Sequence, residues 1–156
     1  MKSKIRIAFF MLIAAFGCTK EENTNTDLFI KIVGNYSGKA DFTRNEEGVL
    51  TSGTENNLNL SITFTNNKYT ISYVFPEGNT IMEFNNLVLN SNKIYFEIPN
   101  QLNEEGNSVK GNKCYNLNST FYDGYFDINT NKLFLCTRFG LTGLNFGTTV
   151  ETYTKN

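Results

Sequence analysis

Side chains able to do chemistry are few in this chain, and their kinds narrow the field. There is no histidine. That removes Ser-His-Asp and Cys-His nucleophile systems and the commonest metal ligand. No glycine-rich phosphate loop and no Cys/His metal spacing occurs. Carboxylates remain. Asp123 and Asp127 could form the acid–base pair of a glycosidase-type reaction. However, they share strand parity with Tyr125, opposite Phe126 and Ile128, which predicts solvated acids on an outer face. The expectation is therefore a non-enzyme with no catalytic residue, metal or cofactor. A second set of acids comes from a small echo: Asn45-Glu46-Glu47-Gly48 recurs as Asn103-Glu104-Glu105-Gly106, with Glu77 between the two. Gathered at one mouth, Glu46, Glu47, Glu77, Glu104 and Glu105 would favour a cationic partner or, more weakly, a hard cation such as Ca2+. The alternative is a pair of ordinary soluble loops, with Lys110 and Lys113 offsetting their field.

Three cysteines carry the other chemistry. Cys18 follows a three-part leader. Lys2, Lys4 and Arg6 give a positive start, Ile7 to Phe16 an apolar run too short to span a bilayer, and Gly17 a small residue before the cysteine. This arrangement resembles the lipobox of bacterial lipoproteins, although Ala15 stands where that motif usually has Leu. The resemblance implies that residues 1–17 are a signal peptide and that Cys18 bears the lipid. The Lys20-Glu21-Glu22 cluster that follows resembles the surface-export signal of some Gram-negative lipoproteins, implying an outer-membrane anchor and display outside the cell; retention on the periplasmic face is the alternative. Residues 18–27, rich in Asn and Thr, read as a flexible tether. Cys114 and Cys136 remain. In an exported protein they can form a disulfide closing a loop of about 20 residues, adding about 3 kcal/mol; two unpaired thiols are the alternative. Acidic residues number 15 against 14 basic, three of the latter in the leader. No basic face for nucleic acid is expected.

The elements that must position these residues read as strands across one domain, residues 28–156. From Leu58 to Phe75 apolar and polar residues alternate, interrupted by Asn66-Asn67. Asn tolerates the positive φ of a two-residue hairpin. That turn sets Phe64 opposite Tyr69, Ile62 opposite Ile71, Leu60 opposite Tyr73 and Leu58 opposite Phe75, all on one face. A slip of one residue would undo every pair. Further strands are expected over 35–44, 80–89 (bent at Asn85-Asn86), 93–98, 119–128 (with a bulge at Gly124), 132–139 and 144–153. The turn at 129–131 sets Ile128 against Leu133 and Phe126 against Leu135. Leu28 to Val33 reads as a short turn plugging one end, and a short helix has room in 100–117.

About eight strands with one dry face predict a single antiparallel up-and-down barrel, with a two-sheet β-sandwich as the alternative. Loop parity puts the tight turns at 66–67, 90–92 and 129–131 at one end. The connections 45–56, 76–79, 99–118 and 140–143 then share the other rim, where binding usually resides.

Gly34-Asn35-Tyr36 opening such a meander resembles the lipocalin-like barrels of the calycin group, Tyr36 standing in for the family's Trp. Arg138 is the one candidate for the late arginine that packs on it. The resemblance implies a small apolar or amphipathic ligand inside the barrel. Its wall would include Tyr36, Phe42, Leu60, Ile62, Phe64, Tyr69, Ile71, Tyr73, Phe96 and Phe126, with the rim glutamates orienting the ligand. The family also includes filled barrels without a known ligand, so a surface interaction module is the alternative. No particular protein partner is implied.

Overall fold

A computed structural model describes residues 27–46, 48–75, 78–102, 108–140 and 146–156. The expected signal peptide, Cys18, most of the expected tether, and Glu47, Glu77, Glu104 and Glu105 lie outside the described residues.

A 3-10 turn, Ile30–Ile32, leads into β1 (Gly34–Glu46), β2 (Val49–Thr65), β3 (Lys68–Phe75), β4 (Gly78–Asn90) and β5 (Lys93–Glu97). Short strands follow: β6 (Gln101–Leu102), β7 (Ser108–Gly111), β8 (Tyr115–Leu117), β9 (Thr120–Tyr122) and β10 (Gly124–Asp127). The chain ends with β11 (Lys132–Gly140) and β12 (Phe146–Lys155). Every pairing is antiparallel. The sequence β10-β5-β4-β3-β2-β1-β12-β11 closes on itself through β10–β11, a ring of eight strands. The all-β up-and-down expectation therefore holds as an antiparallel ring. The segment 98–123 is an insertion between β5 and β10; its described residues form short strands and no helix, and 103–107 lie outside the described residues.

Local chemistry explains where the registers fall. Asn66 and Asn67 both take positive φ, and the hairpin pairs Phe64 with Tyr69, Ile62 with Ile71 and Leu60 with Tyr73. The expected fourth pair, Leu58 with Phe75, does not form: the β2–β3 ladder ends at Leu60 and Tyr73. The cause is a shift between Gly38 and Ala40 in the β1–β2 pairing, with Asn57 at positive φ, where an extra residue bends β2. A bulge likewise bends β4 between Asn85 and Val88. The β10–β11 register is Phe126 to Leu133 and Gly124 to Leu135, two residues from expectation. Asp127 causes this: its Oδ1 accepts the amides of Asn129 and Thr130, so the turn starts one residue after Asp127. The last strand is described from Phe146 to Lys155; its expected start at Leu144 lies outside the described residues.

The expected loop 45–56 is instead a tall hairpin. β1 and β2 stay paired up to Glu46 and Val49. Asn45 Oδ1 accepts the Gly48 amide at 3.0 Å, and Gly48 takes the positive φ the turn demands. The Asn-Glu-Glu-Gly motif is thus a turn signal here.

The core fills the ring from the closed end upward. Ile32 plugs the base and accepts the hydroxyl of Tyr36 on its carbonyl. Above it Tyr36, Leu60, Ile62, Ile71, Met82, Phe84, Ile94, Phe96, Phe126, Leu133 and Tyr153 form one buried cluster. Each such side chain, fully buried, contributes about 1.5–3 kcal/mol.

Candidate functional site

Strand parity decides what the upper half of the ring holds. On β12 the inward residues above Tyr153 are Glu151 and Thr149. Glu151 pairs across the ladder with Ala40 and Leu135, and Thr149 with Thr137. Thr137 and Thr149 meet at 2.5 Å between hydroxyls. Glu151 is 4 % exposed. A carboxylate so placed must be hydrogen-bonded to be tolerated. Its Oε2 accepts Tyr73 at 2.7 Å and Tyr153 at 2.9 Å, and its Oε1 accepts Thr149 at 2.7 Å and Thr137 at 3.3 Å. Tyr73 reaches it from β3, on the far wall, so this bond is a chord across the interior. Burial first, and then the charge of Glu151, push the phenols of Tyr73 and Tyr153 well above the ordinary tyrosine range.

Toward the rim burial falls away. Phe42 and Arg44, inward on β1, are half-buried, and the Arg44 guanidinium sits 4.4 Å from the Phe42 ring. Glu55, beside Ala40, is exposed and pairs loosely with Arg44 at 3.8 Å. Glu46 is exposed at the tip of β1. Among the described residues no group of His, Cys, Asp and Glu is placed to hold a metal ion.

The residues expected to wall a ligand divide into two sets. Tyr36, Leu60, Ile62, Ile71, Phe96 and Phe126 are packed in the lower cluster, and Tyr73 is engaged with Glu151. Phe42, Phe64 and Tyr69 are half-buried. Arg138 is exposed on upper β11, far from Tyr36 in register; the cation beside Tyr36 is Lys155, its ladder partner, which donates to the Lys31 carbonyl. The sequence reading missed Glu151, because a charged residue inside an alternating strand is ordinarily assigned to the wet face. Its parity with Tyr153 was the available signal.

Asp123 also departs from expectation. It is 1 % exposed rather than solvated. Its carboxylate accepts the amides of Ile98 and Lys113, both at 2.7 Å, and so ties together the two sides of the 98–123 insertion. Burial raises its pKa, those two bonds opposing the shift. Gly111 permits this approach: a Cβ there would lie 1.8 Å from the Asp123 carboxyl carbon. Cys114 and Cys136 form a disulfide that pins the insertion to β11.

No protein-family model matches the chain, and no curated protein matches it. Assignment rests on the geometry alone.

Two features stand out at the rim. Val49, Leu50 and Leu102, at 62 %, 69 % and 69 % exposure, are the most exposed large apolar residues described. They sit on the β1–β2 hairpin and on β6, the two excursions at the open end. Upper β2 also lacks a second neighbour: its pairing to β3 ends at Leu60, so among the described residues 49–59 pair with β1 alone.

Proposed function

We propose that this chain is a lipid-anchored interaction module of the outer membrane, a lipocalin-like barrel filled by its own side chains that engages a partner through its open rim. One observation carries the reading. The four hydroxyls around Glu151 come from the protein, directly above a packed lower core, while the largest exposed apolar side chains project from the two rim excursions. Isolated apolar residues on a surface are normal, but an unpaired strand edge beside them is a template for contact. The lipid on Cys18 and display outside the cell belong to this proposal.

The test is site-specific photo-crosslinking in the producing bacterium, with the crosslinker at Leu50 or Leu102 and, as control, at Ile81 on the outer wall. A discrete adduct at the rim positions and none at Ile81 is expected. Equal labelling at all three, or none, contradicts it.

A second reading, binding of a small amphipathic molecule in the upper half of the ring, is favoured by the half-buried Phe42 and Arg44 above the hydroxyl belt. Native mass spectrometry separates the two. The module gives the bare lipoprotein mass, and a stoichiometric small adduct released by denaturation supports the carrier.

A further inference from the structure

A concavity of about 310 Å3 opens on the outer wall near the closed end, on the opposite side of the fold from the rim. It is built in two rungs. Pairing of β4, β5, β10 and β11 sets Val88, Tyr95, Tyr125 and Phe134 side by side across the outer face. Tyr125 stacks on Phe134 with centroids 4.6 Å apart, and Tyr95 lies 5.5 Å from Tyr125. The β8–β9 hairpin folds down on this rung, placing Tyr122 5.4 Å from Tyr95. The next rung toward the turns sets Asn90, Lys93 and Asp127 side by side, and no outer hairpin covers it. Tyr95 and Lys93 floor the concavity. Residues 90–92 wall one side, and Asp127 with Asn129 the other.

Its chemistry excludes several occupants. Lys93 and Asp127 in the lining are ladder partners of opposite sign, and Lys132, across the ladder from Asp127 on its other side, leaves an excess of a single exposed cation, too little to hold an ion firmly. One ammonium, 4.6 Å above the Tyr125 ring, is a poor phosphate site. The lining is too polar for a lipid tail. What it offers is three side-chain amides, able both to donate and to accept, and the Ser91 hydroxyl, which donates to Asn90 Oδ1 at 3.4 Å and keeps its lone pairs as acceptors, beside one half-buried aromatic ring. Asp127 adds an acceptor. Its Oδ1 is held by turn amides, while among the described residues nothing bonds Oδ2. Hydroxyl groups that donate and accept, set around a weakly apolar C–H face, describe a pyranose. The volume also falls at the lower end of ligand sites, roughly 300–1,000 Å3.

From this geometry we infer that the groove binds a saccharide, with Tyr95 under the sugar's C–H face and Asn92, Asn129 and Asp127 on its hydroxyls. The site is separate from the rim and stands or falls independently of it.

Saturation-transfer NMR on the full lipidated chain in detergent tests this, with maltohexaose, cellohexaose, xylohexaose and chitohexaose as probes. Transfer to at least one of the four is expected. Asn92 and Asn129 are exposed turn residues whose replacement leaves the core untouched, so the Asn92→Ala/Asn129→Ala double variant should fold and bind at least about tenfold more weakly, the equivalent of one good polar contact. Tyr95→Ala should abolish transfer; because Tyr95 also packs on its neighbours, the double variant carries the test if that protein misfolds. No transfer from any probe, or transfer unchanged in the double variant, overturns the inference. So does displacement of the sugar by free glycine or lysine, which would make the groove a zwitterion site.

Discussion

A carboxylate inside a β-ring destabilises the fold unless every lone pair is met, and at Glu151 four hydroxyls meet them. Removing the acceptor leaves those donors facing one another in a dry space, at about 1–3 kcal/mol for each that finds no substitute. Glu151→Ala is therefore expected to lose about 3 kcal/mol in urea denaturation. Glu151→Gln, which keeps one carbonyl oxygen and allows hydroxyls to rotate, should lose less than half of that. An alanine variant as stable as the parent would mean that water already fills the belt, and would favour the carrier reading. The phenols above and below make a second measurement possible. Tyr73, Tyr153 and Tyr36 all hold their protons more tightly in the folded state than in the unfolded chain, burial being the chief cause. Their contribution is thus complete below the ordinary tyrosine value near 10 and declines as pH rises past it, by up to about 1.4 kcal/mol per pH unit for each phenol. Stability should be flat in this respect through neutrality and fall above about pH 10, and Tyr73→Phe should make that fall shallower. A slope the same in the variant as in the parent would remove Tyr73 from the account.

At the scale of elements, the insertion 98–123 first extends the wall of the ring, β7 pairing with upper β11 and β6 with β7, and then straps the outer face through β8 and β9, held at three points. Asp123, at its end, accepts the amide of Ile98 at its start and that of Lys113 within it, Gly111 lets the chain pass, and the disulfide fastens it to β11. The bridge spans a sequence separation of 22 residues, so Cys114→Ser is expected to lower stability by about 3 kcal/mol. Reductant should lower the parent to the same level and leave the variant unchanged. Asp123→Asn should also destabilise, by about 2 kcal/mol, because an amide can accept only one of the two N–H groups and turns its own donors toward the other. A variant unfolding with the parent's midpoint would show the strap to be dispensable. These elements also mark how far the sequence could be read. The β2–β3 hairpin was legible because its alternation and its Asn-Asn turn agree, and a one-residue slip would have buried Thr63 and Ser72 in place of Ile62 and Ile71. The ring closure followed from counting strands and turns. The strap was not legible: its strands have two to four residues, too short for a period to appear, and its anchor is an aspartate in contact with residues ten and twenty-five positions away. Glu151 was missed for the related reason that its partners Tyr73 and Thr137 lie on other strands.

On the scale of the whole molecule, the two ends of the ring are unlike, and the chain enters at only one of them. Ile32 closes the base where β1 begins, and the last strand finishes beside it, Tyr36 facing Lys155. The tall β1–β2 hairpin and the strap stand at the opposite end. The lipid proposed on Cys18 would be joined to that base by residues 19–27, a length of about 30 Å if fully extended. Such an anchor would hold the closed end toward the bilayer and the rim outward, the orientation an interaction module requires. Cys18→Ser is accordingly expected to release the protein into the soluble fraction while leaving the thermal midpoint of the β-domain unchanged, since the first strand of the ring begins only at Gly34. Added protease should cut the anchored parent on intact cells, with the rim excursions as the first sites, because all but one of residues 49–59 are exposed, as is Leu102. Retention of the Cys18→Ser protein on the membrane would show that something other than a lipid holds it there. Resistance of the parent on intact cells, with cleavage after the outer membrane is opened, would place the rim on the periplasmic side and turn the search for its partner inward.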